Sequence, residues 1–406
     1  MAKKCPIFRK FLRFCIFKFG KLNFNRISKK NKVDNKLIVF ASFNGHGFND
    51  SPKAIYNYIK NSNEFEGYKF VWGFKDTQKY SFLESANTRV VNIKSKDFLK
   101  EAARSKYWIF NYKIPEYMFP KKEQVFLQCW HGTPLKRLGC DLEHFSNAMN
   151  TVDEITKRYE IETSKFSYFL SPSAFASEKF ISAWNMKAQG KEDIILEVGY
   201  PRNDFLMNYK EADAQRIKSD LNLPKDKKVI LYAPTYRDNQ YNGKSGYVFK
   251  NEIDFDLLKE KLSEEYIILF RAHYFVANSF DFKKYEGFLY DVSGYDDISE
   301  LYVISDMLIT DYSSVFFDYA NLKRPIIFYM YDLEEYRDEL RGFYFGLEEL
   351  PGNIVKTEAE LIAEIANSRE FTFDEKYKSF NDKFNYLDDG NATKRVVAEV
   401  FSKCEK

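Results

Sequence analysis

Apolar residues along the chain fall into short continuous runs separated by stretches of helical spacing. Runs at 37–43, 69–74, 89–93, 107–112, 124–130, 168–173 and 194–199 read as strands, and a second series follows at 229–234, 266–273, 288–293, 307–312 and 325–330. Runs that are apolar at every position suit strands buried on both faces, as in parallel sheets. Helix starts lie between them; Ser51-Pro52 reads as an N-cap followed by proline at the first helical position. Alternation of this kind over ~300 residues predicts two doubly wound α/β domains. The boundary is expected within 205–226, where a charged helical stretch ends at Pro224-Lys225-Asp226. Segment 238–251 is polar and turn-rich and predicts a loop. Helical stretches at 374–384 and 392–403, split by Asp389-Gly390, close the chain, and the last could cross back onto the first domain.

Charge separates the N-terminus from the body. Residues 1–32 carry eleven Lys or Arg and no acid, so with a whole-chain charge of +3 the remainder carries −8. A mildly acidic body argues against a nucleic-acid partner. Within the basic segment Ile7, Phe8, Phe11, Leu12, Cys15, Ile16 and Phe19 recur at helical spacing, with Arg9, Lys10, Arg13 and Lys21 largely opposite. The longest uncharged run, 14–17, is far short of the ~20 apolar residues of a spanning helix, and a signal-peptide core is lacking. Residues 1–35 therefore predict a basic amphipathic helix on an anionic membrane surface, at the cytoplasmic face and peripheral. A helix capping the body, with its charges solvated, is the plainer alternative. The 18% aromatic share reads as core filling. Five cysteines without a CxxC fit a reduced protein lacking a zinc site.

The chain has no GxxxxGK[ST] and no full GxGxxG; Gly45-His46-Gly47 is a fragment. Asp254-x-Asp256 precedes a helical pattern and reads as a cap more than a metal site. Neither a metal nor a cofactor is expected. Of four histidines, His131 and His273 follow strand-like runs, at the edge where open α/β sheets bind ligands. There a histidine serves as a general base or a phosphate donor. His46 reads as a loop residue and His144 as a solvent-facing one.

Three runs carry chemistry. In WHGTPLK, Gly132 permits close backbone approach, Thr133-Pro134 resembles a helix start whose free N–H groups favour an anion, and Lys136 and Arg137 add charge. A tight turn with an incidental histidine is the alternative. In LITDYSSVFFDYA the strand ends at Asp311, and Ser313 and Ser314 sit where a helix begins, suited either to phosphate or to plain capping. Asp318 lies about one turn further on. In LYAPTYRD, Thr235 and Arg237 share the same edge, and Arg237 and Arg271 suit phosphate oxygens or ordinary surface ion pairs.

Taken together, SFNGHGFNDSPKAIYNYI, CWHGTPLKRLG, SPSAFASEKF, VGYPRND, LYAPTYRDN, FRAHYFV and the long run from Val292 resemble the CDP-glycerol glycerophosphotransferase family of teichoic acid synthesis, in the family's order over 37–345. The resemblance implies a GT-B fold, two Rossmann-like domains facing a cleft. Residues 36–205 would form the acceptor domain and 206–406 the CDP-polyol donor domain. It implies transfer of glycerol phosphate, or a related polyol phosphate, from CDP-glycerol or another CDP-polyol donor to a hydroxyl of a membrane-linked acceptor. That acceptor would be a lipid-linked glycan or polyol-phosphate chain of teichoic acid or capsule, and CMP would be released. By the same resemblance His131 is the general base and His273 contacts the donor pyrophosphate. Ser313 and Ser314 hold phosphates, with Gly132, Thr133, Thr235, Arg237, Arg271, Asp311 and Asp318 as further binding candidates. A GT-B glycosyltransferase using a nucleotide sugar is the competing enzyme reading. A non-catalytic membrane-associated nucleotide binder is the third.

Overall fold

The computed structural model describes residues 6–142, 152–235, 241–242, 246–247, 253–271, 280–336 and 342–402. They form two compact units. The first gathers the described residues of Met1–His131, Leu138–Asp204 and Asn391–Lys406; the second, those of Gly132–Arg137 and Phe205–Gly390.

The first unit is built on seven strands: β1 (Asp34–Ala41), β2 (Lys69–Phe74), β3 (Thr88–Asn92), β4 (Ser105–Phe110), β5 (Val125–Gln128), β6 (Tyr168–Ser171) and β7 (Ile195–Glu197). Their order is β3-β2-β1-β4-β5-β6-β7, and β1 pairs in parallel with both β2 and β4. The winding direction therefore reverses between β1 and β4, leaving a crevice at their carboxyl ends. Alternate residues of β1 enter two cores: Leu37, Val39 and Ala41 join Trp108 and Phe126, while Ile38 and Phe40 join Trp72 and Leu127. Both sheet faces are covered, which is why the runs are apolar at every position. The first layer receives Phe24 of α1 (Pro6–Lys30), whose ring lies 6.2 Å from Trp108. The other receives Ile55, Tyr56 and Ile59 of α2 (Asp50–Lys60) and Val396, Val397 and Val400 of the closing helix Ala392–Phe401. Aromatic rings fill this second layer. Phe40 stacks on Trp72 at 5.1 Å, Trp72 on Phe74 at 5.5 Å and Phe74 on Tyr80 at 4.0 Å.

The second unit repeats the plan with β8 (Lys228–Tyr232), β11 (Tyr266–Phe270), β12 (Leu289–Asp291), β13 (Met307–Thr310), β14 (Ile326–Tyr329) and β15 (Asn353–Val355), in the order β12-β11-β8-β13-β14-β15. All five pairings are parallel, and the direction reverses between β8 and β13. A short antiparallel ribbon, β9 (Tyr241–Asn242) and β10 (Gly246–Tyr247), stands where the sequence predicts a loop. A turn-rich polar sequence is also what closes a hairpin.

Other departures are local. Two predicted strands, 37–43 and 124–130, run past their ladders, because Phe43 and Trp130 already adopt left-handed backbone (φ 46° and 49°). Helix α2 starts two residues earlier than expected, with Asn49 at the N-cap, so Ser51 lies inside it. Edge strand β15 is too short to signal itself. Asp254 accepts from Asp256 N (2.9 Å) and Leu257 N (3.2 Å), a plain cap, and Asp256 pairs with Lys284.

Helix α1 forms over 25 residues. Phe24 is buried in the core, while Leu12, Phe14, Ile16, Phe19 and Leu22 are exposed. The helix thus has an inner contact with the sheet and an outer apolar surface among lysines and arginines. Among the described residues no helix is long and apolar enough to cross a membrane.

Candidate functional site

The first unit's site lies at its reversal point, on the loops that follow β1, β4 and β5. After β1, Phe43, Asn44 and Gly45 are all left-handed, with φ of 46°, 56° and 78°. A Cβ on Gly45 would stand 3.0 Å from Lys75 N and 3.1 Å from Gly73 O, so only glycine fits. The loop is pinned by Phe43 N, which donates to Asn111 Oδ1 at 2.8 Å. Asn111 follows β4 and is fully buried. After β5, Trp130 turns the chain through another left-handed residue and presents His131. The imidazole lies 4.1 Å from the Trp130 ring and 5.7 Å from Phe43. Non-glycine residues in this region cost on the order of 1–3 kcal/mol each, and they collect at functional sites. Phe43, Asn44 and Trp130 collect around His131.

His131 Nδ1 lies 2.9 Å from the Asn111 carbonyl. A carbonyl only accepts, so Nδ1 carries the hydrogen and Nε2 of the neutral ring carries the lone pair. Desolvation lowers the His131 pKa from its ordinary 6.5; the Asn111 bond opposes this, and Arg202 and Lys113 reinforce it. The residue nevertheless reaches solvent. With its pKa below 6.5 the imidazole is neutral at pH 7. Arg202 is itself buried, 3.5 Å from Asp50 and stacked on Tyr200 at 4.0 Å. Asp50 is a further left-handed residue (φ 61°).

The second unit's candidates also meet at a reversal point. Thr235, just after β8, donates its N–H to Asp311 Oδ1, just after β13, at 2.7 Å. Ser314 takes the N-cap position of the helix Val315–Tyr319 without a side-chain cap bond, and Ser313 and Ser314 are half-buried. Asp318 is buried within that helix. Gly132 packs so closely here that a Cβ would lie 2.6 Å from Ser314 Oγ. Thr133 is buried. The helix expected at Thr133-Pro134 does not form. The segment is extended: Arg137 N donates to Gly342 O (3.0 Å), Tyr344 N to Leu135 O (2.9 Å), and Lys136 bridges Phe343. Proline favours extended backbone in the residue before it, and pairing with 342–344 completes the choice. No helix N-terminus is therefore offered to an anion at this motif.

Arg271 follows β11, and its Nη1 donates to the carbonyls of Val292 (3.1 Å) and Tyr295 (2.7 Å), which ties two loops together. His46 is exposed and contacts Lys75. His273, Arg237 and His144 lie outside the described residues. Asn111, Arg202 and Asp50 were not singled out by sequence reasoning. Each did carry a signal, a polar residue closing an apolar strand run or lying within a quoted motif.

The site residues thus sit on two parallel-sheet α/β units of doubly wound type, a tautomer-fixed histidine on one and a hydroxyl-bearing helix start on the other. The chain belongs to the CDP-Glycerol:Poly(glycerophosphate) glycerophosphotransferase family, whose model matches residues 23–402. It is 40% identical over 367 residues to a teichoic acid poly(glycerol phosphate) polymerase of Bacillus spizizenii (strain ATCC 23059 / NRRL B-14472 / W23), covering 90% of this chain and 92% of the relative. It is 42% identical over 379 residues to the protein of the same name from Bacillus subtilis (strain 168), covering 92% of this chain but only 50% of that one. The chain thus spans about half the length of the latter. Among solved structures, a histidine-to-asparagine variant of the wall teichoic acid polymerase TagF soaked with CDPG for 15 minutes superposes with a TM-score of 0.86. It is 37% identical, with 98% of each chain covered.

Proposed function

We propose that this protein transfers glycerol phosphate from CDP-glycerol to a hydroxyl of a polyol-phosphate or lipid-linked acceptor in teichoic acid synthesis, releasing CMP. The observation that carries the reading is the bond between His131 Nδ1 and the Asn111 carbonyl. It leaves Nε2 as a base at neutral pH. His131 Nε2 takes the proton of the acceptor hydroxyl as its oxygen attacks the glycerol-bearing phosphorus. The bridging P–O bond breaks, and its electron pair leaves with CMP. One positioned base contributes ~10²–10⁴-fold. The rest comes from holding donor and acceptor in line and neutralising phosphate oxygens.

We assign the donor to the second unit and acceptor activation to the first, as the two halves of a GT-B enzyme. Ser313, Ser314 and Thr235 bind the donor phosphates, with Asp311 fixing the Thr235 loop, Gly132 and Thr133 lining the site and Asp318 supporting the helix. His273 steadies the leaving CMP, and Arg237 and Arg271 supply positive charge. The outer face of α1, with its exposed apolar side chains and one-signed charge, supports peripheral binding to an anionic membrane surface.

The test is to incubate the purified chain with CDP-glycerol, CDP-ribitol and UDP-sugars in the presence of membrane acceptors, and to quantify the released nucleotide. CMP from CDP-glycerol, lost in His131→Ala, is expected. A nucleotide diphosphate released from a sugar donor, with no CMP, overturns the proposal.

A further inference from the structure

A cavity of about 380 Å³ in the first unit is lined by Arg13, Ile16 and Phe17 of α1, by Asn44, by residues 113–117, and by Arg158 and Glu162 of α3 (Val152–Thr163). None of the binding residues assigned above lines it. It nonetheless shares both of its loops with the His131 site. Asn44 follows Phe43, which faces His131, and Lys113 lies two residues past Asn111, which holds His131.

The lining is chemically mixed in a particular way. Three cations, Arg13, Lys113 and Arg158, stand with two carboxylates, Glu116 and Glu162. Arg158 Nε donates to Glu116 at 3.0 Å, and both partners are well exposed, so this bond is readily shared with a ligand. Glu162 differs. It is 3% exposed, its Oε1 is 3.7 Å from the buried Lys165 ammonium, and its Oε2 accepts no hydrogen bond. A buried carboxylate oxygen without a donor is costly to leave so. It calls for a hydroxyl. At the α1 side Ile16 is exposed and belongs to the helix's outer apolar surface.

Cations beside a buried, unsatisfied acceptor match a ligand that alternates phosphate with hydroxyl. We propose that this cavity is an acceptor subsite for a glycerol phosphodiester of the chain being extended. Its phosphate would lie among Arg13, Lys113 and Arg158, and its glycerol hydroxyl would donate to Glu162 Oε2. This rests on the proposed role of His131 as the acceptor's base. The subsite would hold the chain by a unit near its reacting end, and α1 would carry the cavity's outer wall toward the membrane.

The experiment uses the full chain and the soluble probe glycerophosphoglycerol. Binding is followed by calorimetry in the wild type and in Lys113→Ala, Arg158→Ala and Glu162→Gln, with circular dichroism verifying the fold. Each variant is expected to weaken the probe about tenfold or more, the scale of a charged hydrogen bond, and Lys113→Arg is expected to restore it. In turnover assays the acceptor KM rises while the KM for CDP-glycerol stays within about twofold, the pattern of lost ground-state binding. Probe affinity unchanged in all three variants overturns the proposal. So does weakened binding to phosphatidylglycerol vesicles with probe binding intact, which makes the cavity a lipid headgroup site. Because probe binding is read without turnover, absence of CMP release would sink the functional reading separately.

Discussion

Asn111 holds the site from both of its ends: its carbonyl accepts from His131 Nδ1 at 2.9 Å, and its side-chain Oδ1 accepts from Phe43 N at 2.8 Å. One buried residue thereby sets the tautomer of the histidine and the course of the left-handed loop facing it.

The first consequence concerns pH. A base with a lowered pKa is neutral, and competent, down to below its ordinary 6.5. The pH profile of kcat/KM should be flat from about pH 7 to 8 and fall only on the acid side, below pH 6.5. His131→Ala should reduce kcat by ~10²–10⁴-fold with the thermal midpoint little changed. An acid limb centred above pH 7 would contradict this assignment.

Asn111→Asp retains the acceptor for Phe43 N but places a carboxylate beside the imidazole. An anion favours the protonated ring, so the His131 pKa rises and the acid limb moves toward higher pH, by about one unit or more for a close charge. Rates at pH 6 should fall more than rates at pH 8. Equal loss at both would mean that the carboxylate does not sense the ring.

Arg202 and Asp50 form a buried pair, with side chains 4% and 8% exposed. Removing Arg202 takes a buried cation from beside the Asp50 carboxylate. Arg202→Met should destabilise the chain by about 3–5 kcal/mol, read as a drop in thermal midpoint. Asp50→Asn added to it should recover part of the loss, because the buried carboxylate charge is then removed as well. An unshifted midpoint in Arg202→Met would show that the pair is not desolvated.

Gly132→Ala would place a methyl 2.6 Å from Ser314 Oγ and 3.2 Å from its Cβ. Overpacking of this kind costs about 1–3 kcal/mol. Ser314→Ala removes the nearer atom and should restore part of the thermal midpoint in the double variant. Additive losses in the double variant would mean that the two residues do not meet.

Deleting residues 1–32 removes the exposed apolar side chains of α1 but also Phe24, which is 1% exposed against the sheet. The informative change is therefore Phe19→Ser with Leu22→Ser on the outer face. It should weaken binding to anionic liposomes by about tenfold or more, given ~1.5–3 kcal/mol for each fully buried side chain, and leave the thermal midpoint in place. Phe24→Ala should do the opposite.

How the sequence specifies this protein differs between its parts. Each of the twelve apolar runs became a strand, because a strand covered on both faces must be apolar along its whole length, and that pattern is local. The end points of the strands were less legible. Phe43 and Trp130 are apolar yet already turn out of the ladder, since a left-handed backbone leaves no mark on hydropathy. The helix expected at Thr133-Pro134 failed because pairing of 135–137 with 342–344 is a contact about 200 residues away in sequence, one that no local window contains. Likewise α1 is helical by its own spacing, but which side turns inward was decided by Trp108, against which Phe24 packs.

By itself, then, the sequence determined two alternating α/β units, the basic N-terminal segment, and a short set of chemical residues at strand ends. Periodicity, charge and turn chemistry act between neighbours. Only the tertiary structure decided that Asn111 fixes the His131 tautomer, that Arg202 and Asp50 are buried together, and that Glu162 keeps an unsatisfied oxygen. Hydrogen-bond geometry, desolvation and the state of a buried carboxylate belong to atoms brought together from distant parts of the chain, and no single stretch of residues contains them.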